Sequence, residues 1–196
     1  RFARTFSKNF VTKAECIITP SKKTEKYLKY KCKIKNKSIY VIPTGIEIEP
    51  FKRSNYSLDE LTEFKKSLGI LENEKVILFL GRVAEEKSID ILLNAMPSVF
   101  EKMPNAKFLI VGDGPSKKSL EELTEKLGLQ DKVIFKGVVP RDEVPKYYNI
   151  ADLFVNASVT ETQGLTFIEA MAAQTPIVAK YAPNLTEFIK HMHNGV

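Results

Sequence analysis

The chain has 196 residues, of which 43% are hydrophobic and 28% are charged, and its formal net charge is +6. This composition is ordinary for a folded globular protein, so it excludes collagen, a long disordered chain and a disulfide-rich scaffold. The two cysteines, Cys16 and Cys32, are too few to cross-link the chain and fit a reducing compartment, and no apolar run approaches the ~20 residues that span a bilayer.

The first part of the chain predicts the end of one domain and a linker. In chain order it contains a strand over residues 15–19, a helix over 21–31 and a strand over 38–42. We interpret residues 1–50 as the last βαβ unit of a preceding, N-terminal domain. Residues 51–74, with a helical pattern over 58–68, then form an interdomain linker and helix.

Lysines are concentrated in this first part. Residues 1–53 hold 14 Lys and Arg against four Asp and Glu, and eight of the lysines lie within residues 21–37, where Glu25 is the single acid. Such a cluster attracts anionic surfaces, although a solvated, lysine-rich helix is an equally good interpretation. We expect no nucleic acid partner, because no recognised nucleic-acid-binding motif accompanies the lysines.

From residue 75 onward, short apolar runs alternate with helical patterns. Strands are predicted over 76–80, 107–111, 132–136, 152–155 and 176–179, and helices over 88–100, 116–127, 141–149, 165–173 and 184–192. Ser88 is the expected N-cap of the first of these helices, and Gly128 closes the second. Because the strands are apolar throughout, the pattern predicts an α/β fold with a doubly wound, Rossmann-like parallel sheet. We expect one more strand after Val196, so residues 75–196 form a domain that lacks its last strand.

The segment after the first strand of this sheet carries two cations. Ligands of an open parallel sheet bind beyond the carboxyl ends of its strands. Gly81 ends the strand, and Arg82 and Lys87 flank the start of the next helix, which suits a phosphate or a diphosphate. The alternative is that both cations pair with Glu85 or Glu86 on the surface.

A glycine-rich turn follows the second strand, where residues 112–115 read Gly-Asp-Gly-Pro. It resembles the start of a G-x-G-x-x-G fingerprint, but Lys117 occupies the position of the third glycine. The fingerprint also belongs after the first strand of a dinucleotide-binding domain, not after the second. The sequence therefore does not predict NAD or FAD binding, and a tight strand-to-helix turn is the favoured interpretation.

Two glutamates that are eight positions apart follow the fourth strand. Glu161 lies in a predicted loop, and Glu169 lies in an apolar helix that Gly164 opens. The backbone N–H groups of Gly164, Leu165 and Thr166 can point at an anion. A carboxylate in so apolar a helix needs a hydrogen-bonding partner, either a ribose diol or, alternatively, a backbone group or a lysine.

Taken in order, these motifs resemble the donor-binding domain of family 4 glycosyltransferases with the GT-B fold. The resemblance covers residues 76–193. Its most specific part is Glu161-x7-Glu169, followed by Ala-Met-Ala and Pro176, which matches the family's E-x7-E motif. Residues 39–51 resemble the family's junction between its two domains. The resemblance implies the donor half of a GT-B fold, truncated at both ends and lacking most of the acceptor-binding domain.

The resemblance also implies roles for individual residues. Arg82 and Lys87 would bind the donor's diphosphate and stabilise the leaving nucleoside diphosphate, and Glu161 would hydrogen-bond the donor sugar, so these three form the implied catalytic set. Glu169 would hold the ribose hydroxyls, and the loop at Gly137 would meet the base. The implied donor-binding set is Gly81, Arg82, Lys87, Gly112, Gly137, Val138, Gly164, Leu165, Thr166 and Glu169. Because enzymes of this family retain the anomeric configuration and typically need no metal, we expect no metal site and no cofactor.

Some positions depart from the family's pattern, and others indicate a branch of it. Gln174 stands where the family usually has glycine, and residues 180–185 replace small residues near the donor sugar. Residues 160–166 are most similar to the bacterial branch that glucosylates diacylglycerol, which implies UDP-glucose as donor and a membrane glycerolipid as acceptor. The protein would then be cytoplasmic and peripheral on the inner face of the cell membrane. The lysines expected to contact the anionic membrane are Lys22, Lys23, Lys26, Lys29, Lys31 and Lys33.

Three functional hypotheses follow. The first is a retaining hexosyltransferase of glycolipid biosynthesis, and the second is a transferase whose acceptor is a polysaccharide or a soluble sugar. The third is a non-catalytic nucleotide- or anion-binding module with a basic docking arm, which the ribose-binding glutamate disfavours. Paired carboxylates also occur in glycoside hydrolases, but one carboxylate in a loop and one in a helix favour transfer. Because catalysis would occur in a cleft between two domains, we expect this chain alone to be inactive.

Overall fold

The computed structural model describes residues 11, 13–158, 161, 163–181, 185 and 189–196. Contacts among these residues divide the chain into two compact units. The first unit holds the described residues up to Gly45, together with Glu161, Gln163 and Gly164, and the second holds the remainder. A short loop late in the chain thus belongs with the first unit and not with its neighbours in sequence.

Over residues 13–45 the first unit contains a two-stranded parallel sheet and the helix that connects its strands. β1 (Cys16–Thr19) pairs in parallel with β2 (Ser38–Val41), which requires a crossover between them. α1 (Lys22–Lys26) begins after Ser21, whose side chain caps it, and continues as a π-helical turn over Tyr27–Lys31. This arrangement has the strand-helix-strand order that the sequence predicts.

The second unit begins with two 3-10 turns, over Glu49–Phe51 and Arg53–Asn55, followed by α2 (Leu58–Ser67). A capping box starts α2. The Ser57 side chain accepts the backbone N–H of Glu60, and the Glu60 carboxylate accepts the backbone N–H of Ser57 at 2.8 Å. These bonds hold the pKa of the Glu60 carboxyl below its usual value, since they favour the charged form.

A five-stranded parallel sheet forms the centre of the second unit. Its strands are β3 (Lys75–Leu80), β4 (Ala106–Val111), β5 (Val133–Gly137), β6 (Leu153–Asn156) and β7 (Ile177–Ala179). The helices between them are α3 (Ile89–Lys102), α4 (Lys117–Lys126), α5 (Val144–Ile150) and α6 (Leu165–Ala172). The strand order is β5-β4-β3-β6-β7, so the winding reverses between β3 and β6. This topology confirms the predicted doubly wound, Rossmann-like sheet.

Side chains on the two faces of the sheet are buried in two apolar clusters. On one face, Leu78 belongs to a cluster with Tyr148 of α5 and Phe167 of α6. On the other face, Phe79 belongs to a cluster with Leu93 of α3. Burial on both faces explains why β3 is apolar at nearly every position, without the alternation of a half-exposed strand.

Some local predictions differ from the structure. Ser88 precedes α3 as predicted, but its φ is 50° and its side chain makes no capping hydrogen bond. α3 also continues beyond its predicted end, through Pro97 to Lys102. The helix predicted over 141–149 starts later, at Val144, because Pro145 is accommodated in the first turn of a helix and not in its interior.

The last residues pass beside β7. The helix predicted over 184–192 lies largely outside the described residues, and residues 192–194 form a turn. Val196 donates its N–H to the Ile177 carbonyl at 2.9 Å, and its own carbonyl accepts the N–H of Ala179 at 2.8 Å. This is the bonding of a parallel neighbour of β7. The full strand predicted after Val196 stays a prediction.

Candidate functional site

The turns that follow β3, β4 and β5 meet at the carboxyl edge of the sheet. The N–H of Gly81 donates to the Val111 carbonyl at 3.0 Å, and the N–H of Gly112 donates to the Gly137 carbonyl at 2.8 Å. Three predicted site glycines, far apart in sequence, are therefore joined by backbone contacts. Val138 follows them and is 78% exposed, so its apolar side chain is accessible to a ligand at this edge.

Glycine at positions 112 and 114 allows neighbouring turns to touch backbone to backbone. A Cβ atom on Gly112 would lie 1.9 Å from the Gly81 carbonyl oxygen, and one on Gly114 would lie 2.2 Å from that of Val83. The N–H of Val83 also donates to the Asp113 carbonyl at 2.9 Å. Neither position has room for a Cβ atom, which explains why both residues are glycine and favours the interpretation of residues 112–115 as a tight turn.

Arg82 and Lys87 lie in the segment between β3 and α3. Arg82 Nη1 is 3.8 Å from Glu86 Oε1, and both side chains are exposed. Arg82 thus forms the surface ion pair that the sequence allowed as an alternative. Exposed pairs contribute at most about 1 kcal/mol, so a diphosphate can compete with Glu86 for this guanidinium. Ser158 Oγ donates to the Glu86 carbonyl at 3.1 Å, which joins the residues after β6 to this segment.

Glu169 is buried in α6 and has two side-chain partners. Arg141 Nη2 donates to Glu169 Oε1 at 2.6 Å, and the Tyr148 hydroxyl donates to Glu169 Oε2 at 2.9 Å. The prediction that this carboxylate needs a hydrogen-bonding partner is confirmed. The partners seen are an arginine and a tyrosine, and not the backbone group or lysine of the alternative.

Tyr148 is fully buried and stays protonated. Its ring lies in the apolar cluster between Phe51 and Phe154, with ring centroids 5.8 and 5.6 Å away. Burial, followed by the negative charge of Glu169, raises the pKa of the Tyr148 hydroxyl well above its ordinary value. The hydroxyl is therefore a fixed donor to the carboxylate throughout the physiological pH range.

Glu161 lies in the loop that belongs to the first unit. Lys23 Nζ donates to the Glu161 carbonyl at 3.5 Å, and Thr44 Oγ1 donates to Gln163 Oε1 at 3.1 Å. Gly164, which precedes α6, has a φ of 63° and so occupies the left-handed region that favours glycine. Residues near the beginning of the chain thus position the loop that carries Glu161.

The sequence analysis missed Arg141, Tyr148 and Gln163 as candidate site residues. Arg141 is a single cation in a polar turn after β5, and Tyr148 resembles an ordinary core aromatic of α5. The available signal was indirect: a carboxylate predicted inside an apolar helix requires donors from elements that pack against that helix. No sequence pattern identifies which elements those are until the strand order is known.

The six lysines predicted to face a membrane are all exposed, as are Tyr27 and Tyr30 beside them. Lys29 also pairs with Glu25 at 2.7 Å. In the part of the chain that the structure describes, no helix combines the length and apolar character needed to cross a bilayer. Within the same residues, no three His, Cys, Asp or Glu side chains are grouped closely enough to hold a metal ion. His191 and His193 are exposed.

Comparison with protein families gives a match that covers most of the chain. The family described as Glycosyl transferases group 1 matches residues 61–196. Among curated proteins, the chain is 40% identical over 156 residues to the Alpha-monoglucosyldiacylglycerol synthase of Acholeplasma laidlawii, covering 80% of this chain and 39% of that protein. It is 38% identical over 183 residues to the enzyme of the same name from Streptococcus pneumoniae, covering 93% of this chain and 41% of that protein.

Solved structures agree with this match. The crystal structure of Anabaena Alr3699/HepE in complex with UDP superposes with a TM-score of 0.78 at 26% identity, covering 93% of this chain and 49% of that one. WaaG, a glycosyltransferase involved in lipopolysaccharide biosynthesis, gives a TM-score of 0.77 at 23% identity, which supports the fold alone and covers 93% of this chain and 48% of that one. The chain spans about two fifths of the length of the curated relatives named above.

Proposed function

This chain belongs to the group 1 glycosyl transferase family, and on that premise we propose that it forms the donor-binding part of a glucosyltransferase. The proposed donor is UDP-glucose and the proposed acceptor is a membrane glycerolipid. The observation that carries the proposal is the buried Glu169 carboxylate, which accepts hydrogen bonds from Arg141 and Tyr148. A simple anion site has no use for such a carboxylate, whereas a ribose diol does.

Each part of the donor has a proposed partner. The diphosphate lies beside Arg82 and Lys87 and receives backbone N–H groups from Gly164, Leu165 and Thr166. The ribose hydroxyls donate to Glu169. The base meets Gly137 and the exposed Val138, next to Gly81 and Gly112 at the sheet edge. Glu161 hydrogen-bonds the sugar.

The proposed reaction breaks the bond between the anomeric carbon and the diphosphate oxygen and forms a bond from that carbon to the acceptor hydroxyl oxygen, with retention of configuration. The acceptor hydroxyl loses its proton in the same step, and the leaving diphosphate takes it up. Negative charge develops on the leaving diphosphate as the first bond lengthens. Fixed cations at that position stabilise the transition state more than the ground state. Arg82 and Lys87 supply this charge, so the proposed reaction requires neither a metal ion nor a cofactor.

The proposed acceptor side rests on the lysine-rich first unit and on the names of two curated relatives. Anionic headgroups attract lysines near a membrane surface by about 1 kcal/mol each, so several exposed lysines suffice for peripheral binding. The exposed Tyr27 and Tyr30 add side chains that prefer the interface between water and lipid. The proposed location is the cytoplasm, at the inner face of the cell membrane.

Calorimetric titration of the chain with UDP and with UDP-glucose tests the donor site. We expect saturable binding that Glu169→Gln weakens by about tenfold or more, since a hydrogen bond to a charged group contributes about 1.5 kcal/mol. Glu125→Gln, an exposed glutamate on α4, is the matched control. Binding of GDP and ADP as tight as that of UDP would contradict the proposed donor. Polyanion binding without nucleotide preference would instead support a non-catalytic docking module.

A second experiment tests the acceptor in the whole protein. Transfer of labelled glucose from UDP-glucose to diacylglycerol in mixed vesicles is expected. Transfer to soluble sugars or polysaccharide, with none to lipid, would contradict the lipid acceptor while leaving the donor site intact.

A further inference from the structure

The contact between Arg141 and Glu169 joins a buried group to an exposed one. The Glu169 side chain is only 3% exposed, whereas the Arg141 side chain is 69% exposed, and their nearest atoms are 2.6 Å apart. An exposed arginine ordinarily gains little from an ion pair, because water competes for its N–H groups. Here the partner carboxylate is buried, so loss of the arginine would leave a buried charge with one donor fewer, and the pair holds the carboxylate in place.

With these two donors bound, the Glu169 carboxylate can still accept further hydrogen bonds. Arg141 occupies one site on Oε1, and Tyr148 occupies one site on Oε2. Each oxygen of an ionised carboxylate can accept two hydrogen bonds. One further donor can therefore bind each oxygen, and two adjacent hydroxyl groups present such a pair of donors.

We propose that Arg141 is a positioning residue that holds the Glu169 carboxylate in the orientation that receives the two ribose hydroxyls of the nucleotide. This inference rests on the proposed function, in which Glu169 binds the ribose. Arg141 donates to one carboxylate oxygen and Tyr148 to the other, so rotation of the carboxylate about its terminal bond would break both hydrogen bonds. In this role Arg141 acts on the nucleotide through Glu169.

Arg141 lies in the same stretch of chain as the turn that is proposed to meet the base, so the orientation of the Glu169 carboxylate depends on that stretch. Arg141 lies in the segment between β5 and α5, three positions after Val138. Tyr148 lies in α5, directly after that segment. One continuous stretch of chain therefore carries the predicted base contact and both donors to Glu169. Displacement of this stretch changes the recognition of base and ribose together.

The test compares two ligands that differ only in the diol. UDP and 2′,3′-dideoxy-UDP are titrated against the parent chain, Glu169→Gln, Arg141→Ala and Arg141→Lys. In the parent we expect UDP to bind at least about tenfold more tightly than the dideoxy compound. Arg141→Ala should remove most of that preference while leaving the affinity for the dideoxy compound within about twofold, because the lost orientation matters only to a ligand with hydroxyls. Arg141→Lys, which keeps the charge but not the planar fork, should lower the preference by about threefold or more.

A general loss of positive charge gives a different result. Such a loss weakens the binding of both ligands equally, because both carry the diphosphate. Lys136→Ala, which removes an exposed lysine of β5, is the matched control. Equal weakening by Arg141→Ala, or an unchanged preference, overturns the inference. If Arg141→Ala does not fold, as judged by circular dichroism, Arg141→Lys decides: an unchanged preference overturns the inference and a reduced one supports it.

The same titrations separate this inference from the proposed function. An unchanged preference in Glu169→Gln means that Glu169 does not bind the ribose, and both fail. A preference lost in Glu169→Gln but kept in both Arg141 variants overturns the role of Arg141 alone.

Discussion

Tyr147 and Tyr148 are neighbours in α5 and both are fully buried, but they differ in the partners of their hydroxyl groups. The Tyr148 hydroxyl donates to Glu169 at 2.9 Å, whereas the Tyr147 hydroxyl has no hydrogen-bond partner within the described residues. Tyr147 is held by its ring, which meets Phe64 of α2 edge to face at 5.0 Å. Tyr148 therefore contacts the candidate site, and Tyr147 packs α5 against α2.

This difference predicts opposite effects of the same substitution. Tyr148→Phe should destabilise the chain by about 1–3 kcal/mol, because it leaves a buried carboxylate with one donor fewer. Tyr147→Phe should be neutral or stabilising by up to about 2 kcal/mol, because it removes a buried hydroxyl without a partner. Urea unfolding of the two variants measures both effects. Equal destabilisation would contradict the described hydrogen bonding.

Stability should also fall in alkali. Burial, with a smaller contribution from the charge of Glu143, raises the pKa of Tyr147 to about 12. The unfolded chain, with an ordinary tyrosine pKa near 10, loses this proton first, so the tyrosine's contribution is complete below pH 10 and is lost as the pH rises toward 12. Unfolding free energies measured from pH 8 to pH 11.5 should decline less steeply in Tyr147→Phe than in the parent chain. Parallel curves would show that Tyr147 titrates normally.

Gly112→Ala should disrupt the carboxyl edge of the sheet. The added methyl group would overlap the Gly81 carbonyl, so we expect a loss of at least about 3 kcal/mol and weakened UDP binding. Gly69→Ala is the matched control, since Gly69 also has a positive φ but has open space where its Cβ would lie. It should cost only about 1 kcal/mol and leave UDP binding unchanged. Urea unfolding and UDP titration of both variants check this, and similar losses would contradict the close contact.

The hydrogen bond between Thr44 and Gln163 should matter for the sugar and not for the nucleotide. Thr44→Val and Gln163→Leu each free the loop that carries Glu161, so affinity for UDP-glucose should fall while affinity for UDP stays constant. A double-mutant cycle should give a coupling of about 0.5–1 kcal/mol for UDP-glucose. Gln130→Leu, at an exposed position after α4, is the control. Equal effects on both ligands would show that the loop does not act through the sugar.

The lysine surface can be tested without disturbing the loop contacts. The test replaces Lys22, Lys26 and Lys31 by Gln, and the control replaces Lys102, Lys118 and Lys126 by Gln; all six are exposed. At about 1 kcal/mol per lysine, the first set should lower affinity for phosphatidylglycerol vesicles about a hundredfold and the control set far less. Co-sedimentation at low and high salt measures the effect. Equal losses would indicate attraction by net charge alone.

The sheet could be predicted well from the sequence because its strands are apolar on both faces. Each of β3 to β7 lies within two residues of its predicted bounds. The first residues of the helices were harder to predict. Ser88 has a side chain that could cap α3 but makes no capping hydrogen bond, and Arg141 lies outside α5. Propensity describes what a residue favours locally, whereas these positions are set by the turns beside them.

The candidate site was predictable only in part for a related reason. Glu169 is conspicuous as a charge in an apolar helix, but its partners come from α5 and the segment before it. The contact of Gln163 with Thr44 joins residues more than a hundred positions apart. Such pairings depend on how the chain is arranged in space, which hydrophobic periodicity does not encode.

The interleaving of the two units has a consequence for chimeras. The chain passes between the units after Gly45, before Glu161 and after Gly164, so a single crossover point does not exchange one unit intact. Grafting a foreign segment up to Gly45 would leave Glu161 and Gln163 opposite unfamiliar residues in place of Lys23 and Thr44. Recombinants between this chain and its relatives should therefore inherit residues 161–164 from the same parent as the first 45 residues.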